Sequence, residues 1–266
     1  MRVICITQAR MGSSRLPGKV LMPIEHMLAE QMLTESKQAP VSELTQALPM
    51  LEYHIRRVKE ARTVDCHIIA TSTADIDKAI VNYCQAQQQA YFCGDEHNVL
   101  SRFYEAALQA NAQPSDIIIR LTADCPLICP SLIDEAVIKH QQGSPHQYTH
   151  VSLNYFPRGF DVEVFSMASL TRAYKEATSC AEREHVTLFL YSEPNALIAS
   201  IETGNRQWQE FRLCVDEIAD FHLVEQVIKA LGPNWLSATP AEICQVLIDK
   251  PELAKLNAQV VQRAAH

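Results

Sequence analysis

The chain has 266 residues, 47% of them hydrophobic and 20% charged, and 31 acidic side chains against 23 basic ones give a net charge of −8. That length and composition suit one large globular domain or two small ones. So acidic a chain lacks the broad basic face that nucleic acid requires, and no apolar run approaches the roughly 20 residues of a membrane span.

In chain order, RVICIT at residues 2–7 reads as a buried strand, and CHIIAT at 66–71 and DIIIRLT at 116–122 repeat the pattern. QAYFCG at 89–94 is a shorter candidate, while FDVEVF at 160–165 and FRLCVD at 211–216 alternate as strands do. Amphipathic helical patterns fall between them, near 50–61, 75–88, 98–111, 131–142, 167–177, 182–192 and 218–231. Strands alternating with helices of this length predict an α/β fold on a mainly parallel sheet. Ligands of such sheets sit beyond the carboxyl ends of the strands. The loops after Thr7, Thr71, Gly94, Thr122 and Cys214 are therefore expected to face one site.

Residues 25–48 stand outside this rhythm. Ile24, Met27, Leu28 and Met32 have helical spacing before Pro40, and predict a helical insertion packed on a single domain spanning 1–266. The stripe Leu44, Leu48, Leu51, Ile55 and Val58 fits core burial and a lid or subunit contact equally well. The nine cysteines are scattered without a Cys-x-x-Cys pair, Cys125 and Cys129 being the nearest two. That pattern argues against a disulfide framework and a zinc site, and predicts a reduced, cytoplasmic setting. The opening MRVICITQAR agrees, because its apolar run is too short for a signal peptide.

QARMGSSRLPGKVL, residues 8–21, follows the first strand directly. It carries Arg10, Arg15 and Lys19, and the first acid of the chain is Glu25. A positive pole on an acidic protein suits a small polyanion. The segment is not a P-loop: five residues separate Gly12 from Gly18, and Val20 stands where the magnesium-binding hydroxyl belongs. Nor does it have the Gly-x-Gly-x-x-Gly of a dinucleotide fold. Backbone amides around Gly12, Ser13 and Ser14 can still surround a phosphate, with forked donors from Arg10 and Arg15 and a point charge from Lys19.

Acids stand at the expected strand ends. Asp124 in TADCP and Asp216 at the end of FRLCVD offer the hard oxygen ligands magnesium requires, although each alone also reads as a helix or loop cap. Asp161 and Glu163 are two apart and share one strand face, turned either to solvent or to a polar ligand or a second magnesium. EREHV places Arg183 and His185 near a helix start; His185 can serve as a general base, and Arg183 suits a carboxylate. In CGDEHNVLSRF, Asp95, Asn98 and Arg102 are the polar candidates, Asn98 equally as a helix cap. Thr71 and Ser72 can meet a base or simply close a turn.

ARMGSSRLPGK resembles the N-terminal Arg-x-x-Ser-x-Arg-x-Pro-x-Lys motif of the sugar cytidylyltransferases, the CMP-Kdo and CMP-sialic acid synthetases. The match is closer to the spore-coat polysaccharide biosynthesis protein F branch. PMLEYHIRRVK, IIATST, CGDEHNVLSRFYEAA, IIRLTADCPLICPSLID, GFDVEVF, EREHVT and VDEIAD follow in that family's order. The resemblance implies a three-layer α/β/α nucleotide-diphospho-sugar transferase fold. It implies an enzyme that joins CTP and a small sugar, with magnesium as cofactor, to give a CMP-sugar and pyrophosphate. The sugar would be a nonulosonic or related 2-keto acid for a surface polysaccharide or glycan. On this view Ala9, Arg10, Gly12, Ser13, Ser14, Arg15, Lys19, Thr71 and Ser72 bind the nucleotide, and Arg10, Arg15, Lys19 and Asp124 are catalytic. Asp124 and Asp216 hold magnesium. Asp95, Arg102, Asp161, Glu163, Arg183 and His185 face the sugar, and a homodimer is expected. Two departures touch the site: Ala123 replaces the usual glycine, and VDEIAD replaces the commoner Val-Asp-Thr-Pro-x-Asp. A glycosyltransferase using a nucleotide-sugar donor on the same fold, or a non-catalytic nucleotide-binding partner, are the alternatives.

Overall fold

In a computed structural model, residues 1–27, 45–144 and 147–261 are described. The predicted parallel strands form as β1 (Val3–Gln8), β4 (Cys66–Ser72), β5 (Tyr91–Gly94) and β6 (Ile117–Thr122). With β7 (Tyr148–Val151), β8 (Glu163–Ser166) and β9 (Ile198–Ile201) they make one seven-stranded sheet in the order β5-β4-β1-β6-β8-β7-β9. Only β8 runs against the rest.

The strands are apolar on both faces because helices cover both. Val3 and Cys5 of β1 join one core, and Ile4 and Ile6 join the other. The first core is closed by α1 (Met50–Lys59), α2 (Lys78–Ala86), α4 (Pro130–Gln142), α8 (Ile218–Leu231) and α9 (Pro240–Asp249). The second is closed by α3 (Val99–Gln109) and α5 (Met167–Glu176). The short helices α6 (Cys180–Glu184), α7 (Leu188–Ser192) and α10 (Pro251–Ala254) complete the set among the described residues. This is the expected three-layer α/β/α architecture.

Four local expectations change. Pro23–Met27 and Thr45–Pro49 are strands β2 and β3 of an antiparallel pair, with Ile24 opposite Leu48, so the helical spacing of Ile24 and Met27 does not make a helix there. Backbone pairing of the two strands overrides a short helical pattern. The remainder of the supposed insertion, including Leu28, Met32 and Leu44, lies outside the described residues. FRLCVD is extended but joins no strand: it is pinned by Leu213 N–H to the Arg158 carbonyl (2.7 Å) and Val215 N–H to the Asp124 carbonyl (2.8 Å). Gly159 permits that close pass, since a Cβ on it would lie 2.6 Å from the Leu213 carbonyl carbon and its φ is 111°. Of FDVEVF only the last three residues enter β8. The single helix expected over 182–192 breaks into α6 and α7 around Val186, whose φ is 49°.

The order of strands positions the site. Chain progression runs outward from β1 through β4 to β5, then returns to β6 on the other side of β1. Strand order therefore reverses between β1 and β6, which opens a crevice beyond Gln8 and Thr122.

Candidate active site

The basic loop begins where β1 ends. Ala9 is still tied to the sheet through the Ala70 carbonyl at 3.0 Å. The Met11 amide donates to Asp77 Oδ1 at 2.7 Å, and the Met11 carbonyl accepts from both Ser13 and Gly18 at 2.9 Å. The loop thus closes on itself over one buried acid. Gly18 has φ 75°, the left-handed region, and starts the 3-10 turn Lys19–Leu21 that sends Lys19 inward.

Lys19 is only 7% exposed. Its Nζ donates to Asp124 Oδ2 (3.2 Å), Asp216 Oδ1 (3.0 Å) and the Val215 carbonyl (2.6 Å). Arg15 Nη2 and Arg212 Nη2 reach the other oxygen of Asp216 at 2.8 and 2.5 Å. Arg212 is held by Asp220, which also accepts the amides of Asp216 and Glu217 and the side chain of Asn257. Burial alone would lower the Lys19 ammonium, but Asp124 and Asp216 outweigh it and hold it above its usual value. Burial would likewise raise both carboxyls; Lys19 and its companions instead keep Asp124 and Asp216 below the usual range. All three groups are therefore charged at neutral pH.

A cleft of about 240 Å³ opens over this centre. Its walls include Ala9, Arg10, Ser13, Ser14, Arg15 and Lys19 of the loop, with Arg102, Asp124, His185 and Asp216. The structure thus brings together ten of the residues marked from the sequence. It does not bring Gly12, Thr71, Ser72, Asp95, Asp161, Glu163 or Arg183 to the cleft wall. Ser72 donates to Asp77 and accepts from the Ala74 amide, and Thr71 is buried. Asp95 is exposed and accepts the amides of His97 (2.8 Å) and Asn98 (2.7 Å), which makes it a turn residue before α3. Arg183 is exposed on α6. Asp161 is taken by Arg158 and the Gly159 amide, and burial raises its carboxyl. Glu163 pairs with Arg120 and accepts from Tyr148 (2.5 Å) and Thr187 (2.7 Å), so its oxygens are used inside the protein.

Several wall residues escaped the sequence. Arg120 lines the cleft from β6; a charge in the middle of the apolar run DIIIRLT was the available signal. Gln8, Thr122 and Glu184 also line it. Val186 is fully buried in a left-handed conformation that β-branched residues rarely adopt. It sits between His185 on the cleft wall and Thr187 on Glu163.

Behind Asp124 lies a buried chain of polar groups. His54 Nδ1 faces the Cys125 carbonyl (3.0 Å), its Nε2 faces Thr7 Oγ1 (2.8 Å), and Thr7 also meets His67 Nε2 (2.9 Å). A carbonyl only accepts, so His54 carries its proton on Nδ1. Thr7 must then donate to His54 and accept from His67. Burial depresses both imidazoles, His54 to about 4, so the chain is neutral and fixes the Asp124–Cys125 turn from below.

A divalent cation fits this donor set. Asp124 and Asp216 are ionised, come from two different loops and converge on one atom, Lys19 Nζ, which is the oxygen-rich geometry a hard cation takes. Cys125 and Cys214 lie near Asp124, but the hydrogen bond with Cys125, burial and the neighbouring acids raise the Cys214 thiol, and against the opposing bond to Cys214 burial and the acids raise that of Cys125, so both remain protonated and poor ligands.

Fold and site together define an α/β enzyme that transfers a nucleotidyl group. A sequence model described as cytidylyltransferase matches residues 45–233, and the chain belongs to that family. It is 30% identical to the protein MJ1063 of Methanocaldococcus jannaschii, over 99% of this chain and 98% of that one. It is 29% identical to the spore coat polysaccharide biosynthesis protein SpsF of Bacillus subtilis, over 95% and 96%. Among solved structures, a cytidylyltransferase from Leptospira borgpetersenii serovar Hardjo-bovis superposes over the full length of both chains, with a TM-score of 0.80 at 22% identity. That likeness establishes the nucleotide-sugar transferase fold. The resemblance carried by the motifs is thereby borne out for family and fold.

Among the described residues, no helix is long and apolar enough to cross a membrane. All nine cysteines are free thiols.

Proposed function

We propose that the protein is a sugar cytidylyltransferase: CTP and a sugar give a CMP-sugar and pyrophosphate, within one domain over residues 1–266. The observation that carries this reading is Lys19 Nζ, held between Asp124 and Asp216 at the foot of a loop with two further arginines. A triphosphate brings about four negative charges, and three converging cations match it better than they match a diphosphate-sugar donor. Polysaccharide biosynthesis, named for the SpsF relative, supports a sugar as acceptor. A 2-keto sugar acid is the substrate class we assign, as the motifs' resemblance to the CMP-Kdo and CMP-sialic acid synthetases implies.

The chain's own groups account for most of the chemistry. Arg10, Ser13, Ser14 and Arg15 position the phosphates. Lys19 leaves its carboxylates to meet charge developing on the leaving pyrophosphate. The sugar hydroxyl attacks the α-phosphorus and pyrophosphate leaves; to His185, on the cleft wall, we assign the base that takes up the hydroxyl proton. Asp124 and Asp216 are the residues that would hold magnesium, which neutralises phosphate charge when bound. Catalysis of this kind rests on positioning and electrostatics. A cytoplasmic location and a homodimer belong to the same proposal, the free thiols supporting the former.

The test is pyrophosphate release from CTP with a panel of nonulosonic and octulosonic acids. Sugar-dependent release that Lys19→Ala and Asp124→Asn abolish supports the reading. Release that both variants retain, or no release with any acid and with neutral sugars, overturns it.

A further inference from the structure

Glu163 opens β8 directly across the register from Arg120. Both of its oxygens are engaged. One pairs with Arg120, and the other accepts from the hydroxyls of Tyr148 (2.5 Å) and Thr187 (2.7 Å). Burial would raise this carboxyl, but Arg120 and the two hydroxyls outweigh it and hold it below the usual range. A buried carboxylate so fully supplied with donors is a rigid point of the sheet.

The chain is bent to reach that point. Thr187 precedes α7, where a threonine ordinarily turns its oxygen to the amides of the first helical turn. Its side chain makes no such cap; the hydroxyl, on a residue 1% exposed, donates to Glu163 instead. Val186 passes through φ 49° to deliver it, and is fully buried in the second core. Strain of that kind persists only where the surroundings over-determine it. One residue further back, His185 ends α6 with its amide on the Ala181 carbonyl at 2.8 Å. His185 lines the cleft, and its imidazole has no hydrogen-bond partner among the described residues. Its backbone alone therefore aims it, held by α6 on one side and by the Thr187 anchor on the other.

We propose that Thr187, through its bond to Glu163, is a positioning residue that sets where the His185 imidazole stands in the cleft. One carboxylate then fixes both Arg120 and the His185 turn. A base moved out of line loses rate while the nucleotide still binds. This inference rests on the cytidylyltransferase reading and on His185 as its base.

The experiment is a double-mutant cycle on Thr187 and His185. It is read as pyrophosphate release from CTP with nonulosonic and octulosonic acids, beside calorimetric CTP binding and the melting temperature of each variant. Thr187→Val keeps the shape and removes the hydroxyl. It should lower kcat by about tenfold to a hundredfold, with CTP affinity unchanged. Thr187→Ala, which cannot overpack the site, should behave alike, and Thr187→Ser should recover most of the rate. In a His185→Gln background Thr187→Val should lower kcat no further, because the group it positions has gone. Losses that multiply in the double variant, or a wild-type kcat in Thr187→Val and Thr187→Ala, overturn the inference and leave the enzyme reading intact. A His185→Gln variant with the wild-type rate overturns the inference together with His185 as base, while release abolished by Lys19→Ala still upholds the enzyme. A wild type that releases no pyrophosphate overturns both.

Discussion

Two arginines on two helices, both almost wholly buried, show how differently the molecule treats the same side chain. Arg57 on α1 is 0% exposed and surrounded by acceptors: the carbonyls of Ile128 (2.7 Å), Trp235, Leu236 (3.1 Å) and Ala238 (2.7 Å), with Cys129 Sγ at 3.5 Å. It ties the turn before α4 to the segment after α8. Arg102 on α3 is as deeply placed, but has idle donors and a cleft in front of them. Satisfied buried polarity is a structural joint. Unsatisfied buried polarity at a cavity wall marks a place for a ligand.

The sharpest way to break this comparison is to remove Arg57. Arg57→Met should cost about 3–5 kcal/mol, because several buried carbonyls lose their donor together at about 1–3 kcal/mol each. Urea melts would measure it; a loss no larger than that of Arg102→Met would erase the distinction. Lys19 tests the intermediate case, a cation both paired and facing the cleft. Lys19→Ala should lower the rate of transfer by about 10²–10³-fold, equivalent to about 3–4 kcal/mol, while Asp124 and Asp216 lose their shared counter-charge. Steady-state kinetics at saturating CTP would read this.

His54 sharpens the structural side. Its folded pKa, about 4, lies below the usual 6.5, so between those values the unfolded chain binds the proton more readily. Stability is fully present above about pH 6.5 and is lost as pH falls toward 4; on this account the wild type loses about 2 kcal/mol between pH 7 and 5. His54→Gln should flatten that slope, which denaturant titrations at both pH values would show. The smallest effect belongs to Asn98, whose side chain caps α3 by accepting from the Ser101 amide at 3.0 Å. Asn98→Ala should cost about 1 kcal/mol in thermal unfolding with transfer activity close to wild type. A large loss of activity there would make the cap part of the nucleotide site.

Much of this was legible in one dimension. Apolar β-branched runs are buried strands because nothing else in the chain can cover their backbone and side chains together, and β1, β4 and β6 formed where the pattern placed them. The cationic loop after β1 was visible because no acid precedes Glu25. Asp124 and Asp216 were marked by their strand-end positions. The sequence misled where two neighbours compete for a side chain. Glu163 looked free for a ligand, yet Arg120 lies directly across the β6–β8 register and captures it. Asp161 looked the same, and is held by Arg158 and the Gly159 turn.

By itself, then, the sequence determined the layers, the cationic loop and the family, because these depend on local periodicity and on short motifs. Tertiary structure decided the site. Lys19 meets Asp124 across 105 positions and Asp216 across 197, a convergence that no local pattern encodes. It also decided which buried arginine is a joint and which is a receptor. Both sit on amphipathic helices; only the packed fold determines whether carbonyl oxygens or an open cleft lie at the end of the side chain.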